Sequence, residues 1–304
     1  MSSHSAAPAV AAGDSLLIRA APALFVLLWS TGFIVAKLGA AYAPPLTFLE
    51  WRYALAMAVL APMIWLGRAR WPASRMQAAH IAVAGVLVHA GYLAGVWGAV
   101  ALGMSAGLIA LIVGLQPVLT ALAGPLIGER VGARQWLGLG LGFAGVALVA
   151  ANKIAVAGLT ASALLLGVFG LGSITAGTLY QKRFCPHFDL RTGTFVQYAA
   201  SFAVTLPFAL VLEDAPMQWE PGLYFALGWS VIVLSVAAIF LLFLLIRRGA
   251  ATRVVSLFYL TPPTTALMPG CSSRNRSPGR RCSGWSWPSS ASPWWCGAEP
   301  HRQC

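Results

Sequence analysis

The sequence predicts an all-α integral membrane protein built from two repeats that cross the bilayer in opposite senses. Three observations lead there. Of 304 residues, 59% are apolar and only 9% charged, too little polar surface for a water-soluble globule. The chain also matches itself when shifted by 145 residues. Gly32 then falls on Gly177, Lys37 on Lys182, Tyr53 on Tyr198, Pro62 on Pro207, Leu115 on Leu260 and Pro117 on Pro262. Finally, the basic residues gather in alternate connections between apolar stretches, as the positive-inside rule requires.

A bilayer core about 30 Å thick calls for roughly 20 apolar residues per helix. Nine such spans can be drawn: 20–41, 47–66, 81–101, 106–127, 135–151, 161–181, 192–212, 222–246 and 250–268. A barrel would need alternating strands, which the sequence lacks. Arg68, Arg70 and Arg75 follow the second span, and Arg130 and Arg134 the fourth. Lys182, Arg183 and Arg191 follow the sixth, and Arg247, Arg248 and Arg253 the eighth. The intervening loops hold Lys153 as their one basic residue, and the loop after the seventh span is acidic, with Glu213, Asp214 and Glu220. This pattern puts the N-terminus in the cytoplasm. Five spans per repeat is an odd number, so the second copy is expected upside down relative to the first. Such inverted repeats are a transporter architecture, with the substrate near the midplane where the repeats meet.

Residues 1–19 are small and polar, without the layout of a signal peptide, and are expected to be a disordered cytoplasmic tail. Residues 20–153 form the first repeat and 160–268 the second, which is one helix short. The net charge of +12 does not point to nucleic acid, because its cations are spread over short loops. Four of the five cysteines lie beyond Met268, so neither a disulfide framework nor a metal site follows.

Leu28-Trp29-Ser30-Thr31-Gly32-Phe33, the arginine of Trp51-Arg52-Tyr53, Leu115-Gln116-Pro117 and the Gly128-Glu129-Arg130 turn occur in that order. This series resembles the EamA-type branch of the drug/metabolite transporter superfamily, over about residues 20–268. The resemblance implies ten helices in two inverted five-helix repeats, with helices one to four of each around a central cavity. It implies no cofactor, and export or exchange of small metabolites across the inner membrane.

The self-match stops at Met268. Residues 269–304 hold five Arg, five Pro, eight Ser, four Cys and four Trp, with no apolar span, where the family plan wants a tenth helix. Trp and Cys codons begin TG and, read one base earlier, encode Leu, Val or Met, while TCN serines become aliphatic or Phe. A frameshift near codon 268 therefore explains the composition; the alternative is a genuine diverged basic tail, with the tenth helix lost or disordered either way.

Ionisable groups inside a membrane are costly and default to functional hypotheses. Arg52 either holds an anionic group of the substrate or serves a structural ion pair. Glu50, two residues earlier, faces elsewhere on the helix and is a candidate for proton coupling or a headgroup-level acid. His89 sits mid-span, where it either relays protons or makes one interhelical hydrogen bond. Lys37 is near enough to a helix end to snorkel. Trp29, Tyr92, Trp97, Tyr180 and Tyr198 offer flat apolar faces with polar edges to an organic substrate, Trp97 being equally suited to an interfacial anchor. Gln197, the repeat partner of Arg52, joins the cavity candidates. Gln116-Pro117 and Thr261-Pro262 put a helix-breaking proline beside a polar side chain in both repeats, at Pro117 and Pro262, and are expected to kink the helices that open the cavity. Gly140-Leu141-Gly142-Phe143-Ala144-Gly145 matches a dinucleotide fingerprint by letter only, since no strand precedes it; close helix packing accounts for it.

The expected function is an inner-membrane transporter of amino-acid-like or drug-like solutes working by alternating access. Its partners are a small-molecule substrate and the lipid bilayer, with proton coupling and a homodimer as further options and no nucleic acid. One alternative is a frameshifted chain that transports nothing. The other, an intramembrane enzyme, would need a nucleophile–base pair or metal ligands at helical spacing, which these spans do not supply.

Overall fold

Eight helices form from the described residues, 14–127, 132–151 and 160–248 of a computed structural model. They are α1 (Asp14–Gly39), α2 (Pro45–Leu66), α3 (Arg75–Ala101), α4 (Ala106–Ala123), α5 (Ala133–Ala151), α6 (Ala161–Phe184) and α7 (Leu190–Leu212). The last, α8, runs through Pro221–Trp229, Ser230–Ala238 and Ile239–Arg248. Seven helices among the described residues are long and apolar enough to cross a membrane. The chain is an all-α membrane protein. The ninth expected span, the tail after Met268, and Thr261 and Pro262 lie outside the described residues.

Local chemistry sets the helix ends. Pro45 opens α2, where its missing N–H costs nothing. Ser74, Ser105, Thr160 and Asp189 each accept a backbone N–H of the first turn that follows. α3 starts six residues before its apolar stretch because Ser74 and Gln77 cap it: Gln77 reaches back to accept the N–H of Ala73 at 2.7 Å. Its polar first turns stand clear of the apolar span. α4 breaks at Gly114-Leu115, and Gln116-Pro117 begins its second half, where proline needs no donor.

Two helices contain π turns, Val86–Gly91 in α3 and Ser230–Ala238 in α8. The 145-residue shift that superposes the repeats in sequence lays one on the other. The packing follows the same correspondence. A Cβ on Gly32 of α1 would meet Leu234 in the α8 π turn, and a Cβ on Gly177 of α6 would meet Val88 in the α3 π turn. α1 packs on α8 as α6 packs on α3. At the centre α2 lies antiparallel on α7, and the repeat partners Tyr53 and Tyr198 stack at 5.8 Å.

A tight crossing joins α3 to α6. A Cβ on Gly95 would stand 2.6 Å from the Leu166 carbonyl oxygen and 2.7 Å from Gly170 Cα, backbone atoms that cannot swing aside. Small residues of this kind let helices approach in the absence of a hydrophobic drive. Gly95→Ala should therefore destabilise the bundle by about 1–3 kcal/mol. Gly138→Ala in α5, with nothing within 4 Å, should be neutral or slightly stabilising. Thermal unfolding in detergent measures both, and an unchanged melting temperature for Gly95→Ala would refute the crossing.

Candidate functional site

Arg52 sits in the second turn of α2, where its side chain is 6% exposed. Its Nε donates to Ser235 Oγ of the α8 π turn at 2.8 Å. Its remaining guanidinium N–H groups make no hydrogen bond, and Arg52 makes no ion pair, among the described residues. Instead Tyr53, Tyr92, Tyr198 and His89 surround it. Breaking a buried ion pair to leave one charge unmatched costs roughly 3–5 kcal/mol, so a guanidinium placed this way asks for an anion.

The side chain opens on a cavity of about 40 Å³ lined by Trp29, Phe33, His89, Tyr92, Trp97 and Leu234 among others. That is room for about one water molecule. Trp29 and Tyr92 stack with ring centroids 6.3 Å apart. Trp97, buried and stacked on Phe48 at 4.1 Å, is part of this wall. Tyr198 donates its hydroxyl to the Ser235 carbonyl at 2.8 Å, and its ring lies 4.6 Å from that of His89. His89 Nε2 meets Gln197 Oε1 at 3.3 Å, and Gln197 Nε2 donates to Gln181 Oε1 at 2.9 Å. Trp29, Arg52, His89, Tyr92, Gln197 and Tyr198 thus gather in one place.

Other expected residues fall elsewhere. Tyr180 is not at this cavity: on α6 it faces the start of α3, its hydroxyl 2.7 Å from His80 Nδ1 and its ring against Phe184. Gln116 is buried against α6, donating to Thr178 Oγ1 at 3.2 Å, with its carbonyl oxygen unpaired among the described residues. Glu50 points away from Arg52, as two-residue spacing requires. Thr205 Oγ1 donates to Glu50 Oε1, and Oε2 is buried without a partner among the described residues. Lys37 is exposed near the end of α1. The glycine series at 140–145 lies within helix α5.

α7 holds α2 at both ends. At the acidic end, Glu213 accepts the N–H of Leu46 at 2.8 Å, and the N–H and hydroxyl of Thr47 at 2.7 and 2.9 Å. A carboxylate there satisfies orphan donors and suits the helix dipole. At the basic end, Arg191 Nη1 donates to the Gly67 carbonyl at 3.2 Å while its other nitrogens grip Asp189. The Arg191 hydrogen bond holds the Asp189 carboxyl below the usual carboxylate range. Ser235, Thr205 and Gln181 were not singled out from sequence, and Tyr53 and Glu213 were not read there as site residues. A hydroxyl in an apolar span is the one signal the first two carry, and Tyr53 shows itself only as the repeat partner of Tyr198.

The fold defines a multi-pass membrane protein, and comparison with known proteins adds its kind. Residues 19–151 match the EamA-like transporter family. The uncharacterized transporter YvbV of Bacillus subtilis is 29% identical over 264 residues, 79% of this chain and 78% of that protein. The uncharacterized inner membrane transporter YedA of Escherichia coli strain K12 is 25% identical over 250 residues, 81% and 80% of the two chains. A probable amino-acid metabolite efflux pump of Salmonella typhimurium is 25% identical over 197 residues, 63% of each. A solved crystal structure shares the fold at a TM-score of 0.66 and 19% identity, covering 82% of this chain and 86% of the other. Residues 19–151 are thus similar to EamA-like transporters, and most of the chain is similar to proteins named as membrane transporters.

Removing the Glu213 cap tests the clamp on α2. Glu213→Ala should lower stability by about 1–2 kcal/mol, with Glu213→Gln between it and the parent. The readout is the melting temperature in detergent, and equal values for all three proteins would show that the cap holds nothing.

Proposed function

We propose that this transporter exports or exchanges small metabolites bearing an anionic group, amino-acid-like or drug-like, across the inner membrane. The observation that carries this is Arg52, a buried guanidinium without a carboxylate partner among the described residues, opening on an aromatic-walled cavity. A carboxylate matches its fork in two parallel hydrogen bonds, and Trp29 and Tyr92 offer the apolar body of the solute a flat face. The names of the relatives from Escherichia coli and Salmonella typhimurium support the membrane and the solute class.

Alternating access between inverted repeats is the mechanism in this reading. The matched π turns, the matched contacts of Gly32 and Gly177, and the Tyr53–Tyr198 stack support a pseudo-twofold axis in the membrane plane. The clamps at Glu213 and Arg191 would release in turn, opening one end of the bundle at a time. The positive-inside rule assigns the Arg191 end and the N-terminus to the cytoplasm. Proton coupling falls to Glu50, whose Oε2 is free to carry a proton; His89 is already engaged by Gln197.

Counter-flow of radiolabelled amino acids in proteoliposomes tests the proposal. It is measured on the chain as written and on one with the reading frame restored after Met268, so that the tail is not confused with the site. Saturable flux should fall at least about tenfold in Arg52→Ala, while Arg52→Lys keeps the charge but loses the fork and falls in between. Flux that survives Arg52→Ala in correctly inserted protein, or absence of flux from both chains, counts against it.

A further inference from the structure

A second, larger cavity lies at the basic end of the bundle. It holds about 770 Å³ and is lined by Arg70, Gln77, Thr178, Gln181, Lys182 and His187, among others. Asp189 also borders it, but Arg191 neutralises that carboxylate at 2.8 Å. Among the described residues the wall therefore carries more cationic than unmatched acidic side chains, and a cationic wall concentrates anions.

The wall between this vestibule and the Arg52 cavity includes three side chains. Gln181 lines the vestibule and His89 lines the cavity, and Gln197 hydrogen-bonds to both. Exposure of the three is 6%, 2% and 0%. The contacts require His89 to donate its Nε2–H to Gln197 Oε1, which leaves Gln197 Nε2 to donate to Gln181. Gly85 of α3 presses on the same point: a Cβ there would stand 2.5 Å from Gln197 Cα. The helices touch at this level, and a flexible amide fills the gap between the two spaces. Gln197 is also the repeat partner of Arg52. Where the first repeat carries a cation, the second carries a neutral group that can swing away without leaving an unmatched charge.

We propose that Gln197 is the gate between the basic vestibule, which gathers small organic anions, and the Arg52 site, with Gln181 and His89 as its latches. The identity of the solute rests on the transport reading above; the gate itself concerns access alone. A passing carboxylate or amine offers the amide the same hydrogen bonds that Gln181 and His89 provide, so the latch exchanges partners as the solute moves through.

Thiol labelling tests this without any transport. The five native cysteines are replaced by serine; Cys185, whose thiol burial pushes up to about 11, would be a poor probe in any case. A cysteine is then placed at Val88, which lines the inner cavity, or at Thr178, which lines the vestibule. The anionic reagent sulfonatoethyl methanethiosulfonate is applied to membranes from the basic end. Val88→Cys should label slowly with Gln197 present and about tenfold faster with Gln197→Ala, since two hydrogen bonds and the plug are gone. Thr178→Cys should label alike in both backgrounds, and faster with the anionic reagent than with its trimethylammonium counterpart. If Gln197→Ala fails to insert, Gln197→Asn, one methylene shorter, should give an intermediate gain. Equal Val88→Cys rates with and without the substitution, or labelling only from the acidic end, overturns the gate. Neither result depends on Arg52→Ala flux, so the gate and the solute site can fail separately.

Discussion

The antiparallel contact of α2 with α7 is the constraint on which the rest of the structure depends. It puts the repeat partners Tyr53 and Tyr198 face to face, and sets Arg52 toward the acidic end of the bundle and Gln197 toward the basic end. It also lets Glu213 and Arg191, at the two ends of α7, take hold of the two ends of α2. Hydrocarbon gives helices no hydrophobic reason to associate, so polar contacts and close packing of small residues must do so. Thr205 on Glu50, Ser235 on Arg52 and Ser201 on the Gly85 carbonyl are three such contacts in the heart of the bundle.

The π turns extend this logic. Each widens its helix where the opposite repeat packs, and each presents polar groups toward α2 or α7: His89 from α3, and Ser235 with its side chain and carbonyl from α8. π turns are frequent at functional sites because the extra residue frees backbone groups and redirects side chains. Here they flank the cation. Arg52 is thereby oriented by a neutral hydroxyl, and in the proposed reading its charge is met by the solute.

Much of the fold was legible in the chain because apolar length is a strong signal in a membrane protein. The spans expected at 47–66 and 161–181 became Pro45–Leu66 and Ala161–Phe184. α3 began earlier than expected because a capped polar first turn adds nothing to hydropathy. The π turns could not be foreseen, since an i→i+5 ladder leaves no mark in periodicity. In the site, Arg52, His89 and Trp29 announced themselves as polar or aromatic residues deep in apolar spans. Their partners did not. Ser235 lies 183 residues from Arg52 and Thr205 lies 155 from Glu50, and no local pattern connects positions so far apart. Tyr180 was expected at the cavity from its composition alone; its place on the helix turns it toward His80.

The central claim is the proposal that Arg52, which has no counter-ion among the described residues, receives one from the solute. The most direct test is the melting temperature of the purified protein with an amino-acid metabolite and with its methyl ester, each at matched concentrations. A ligand held at about 100 times its Kd should add about 2.7 kcal/mol. The acid should raise the melting temperature, the ester should not, and Arg52→Ala should erase the difference. Equal stabilisation by acid and ester, or a shift for the acid that persists without Arg52, would contradict the account.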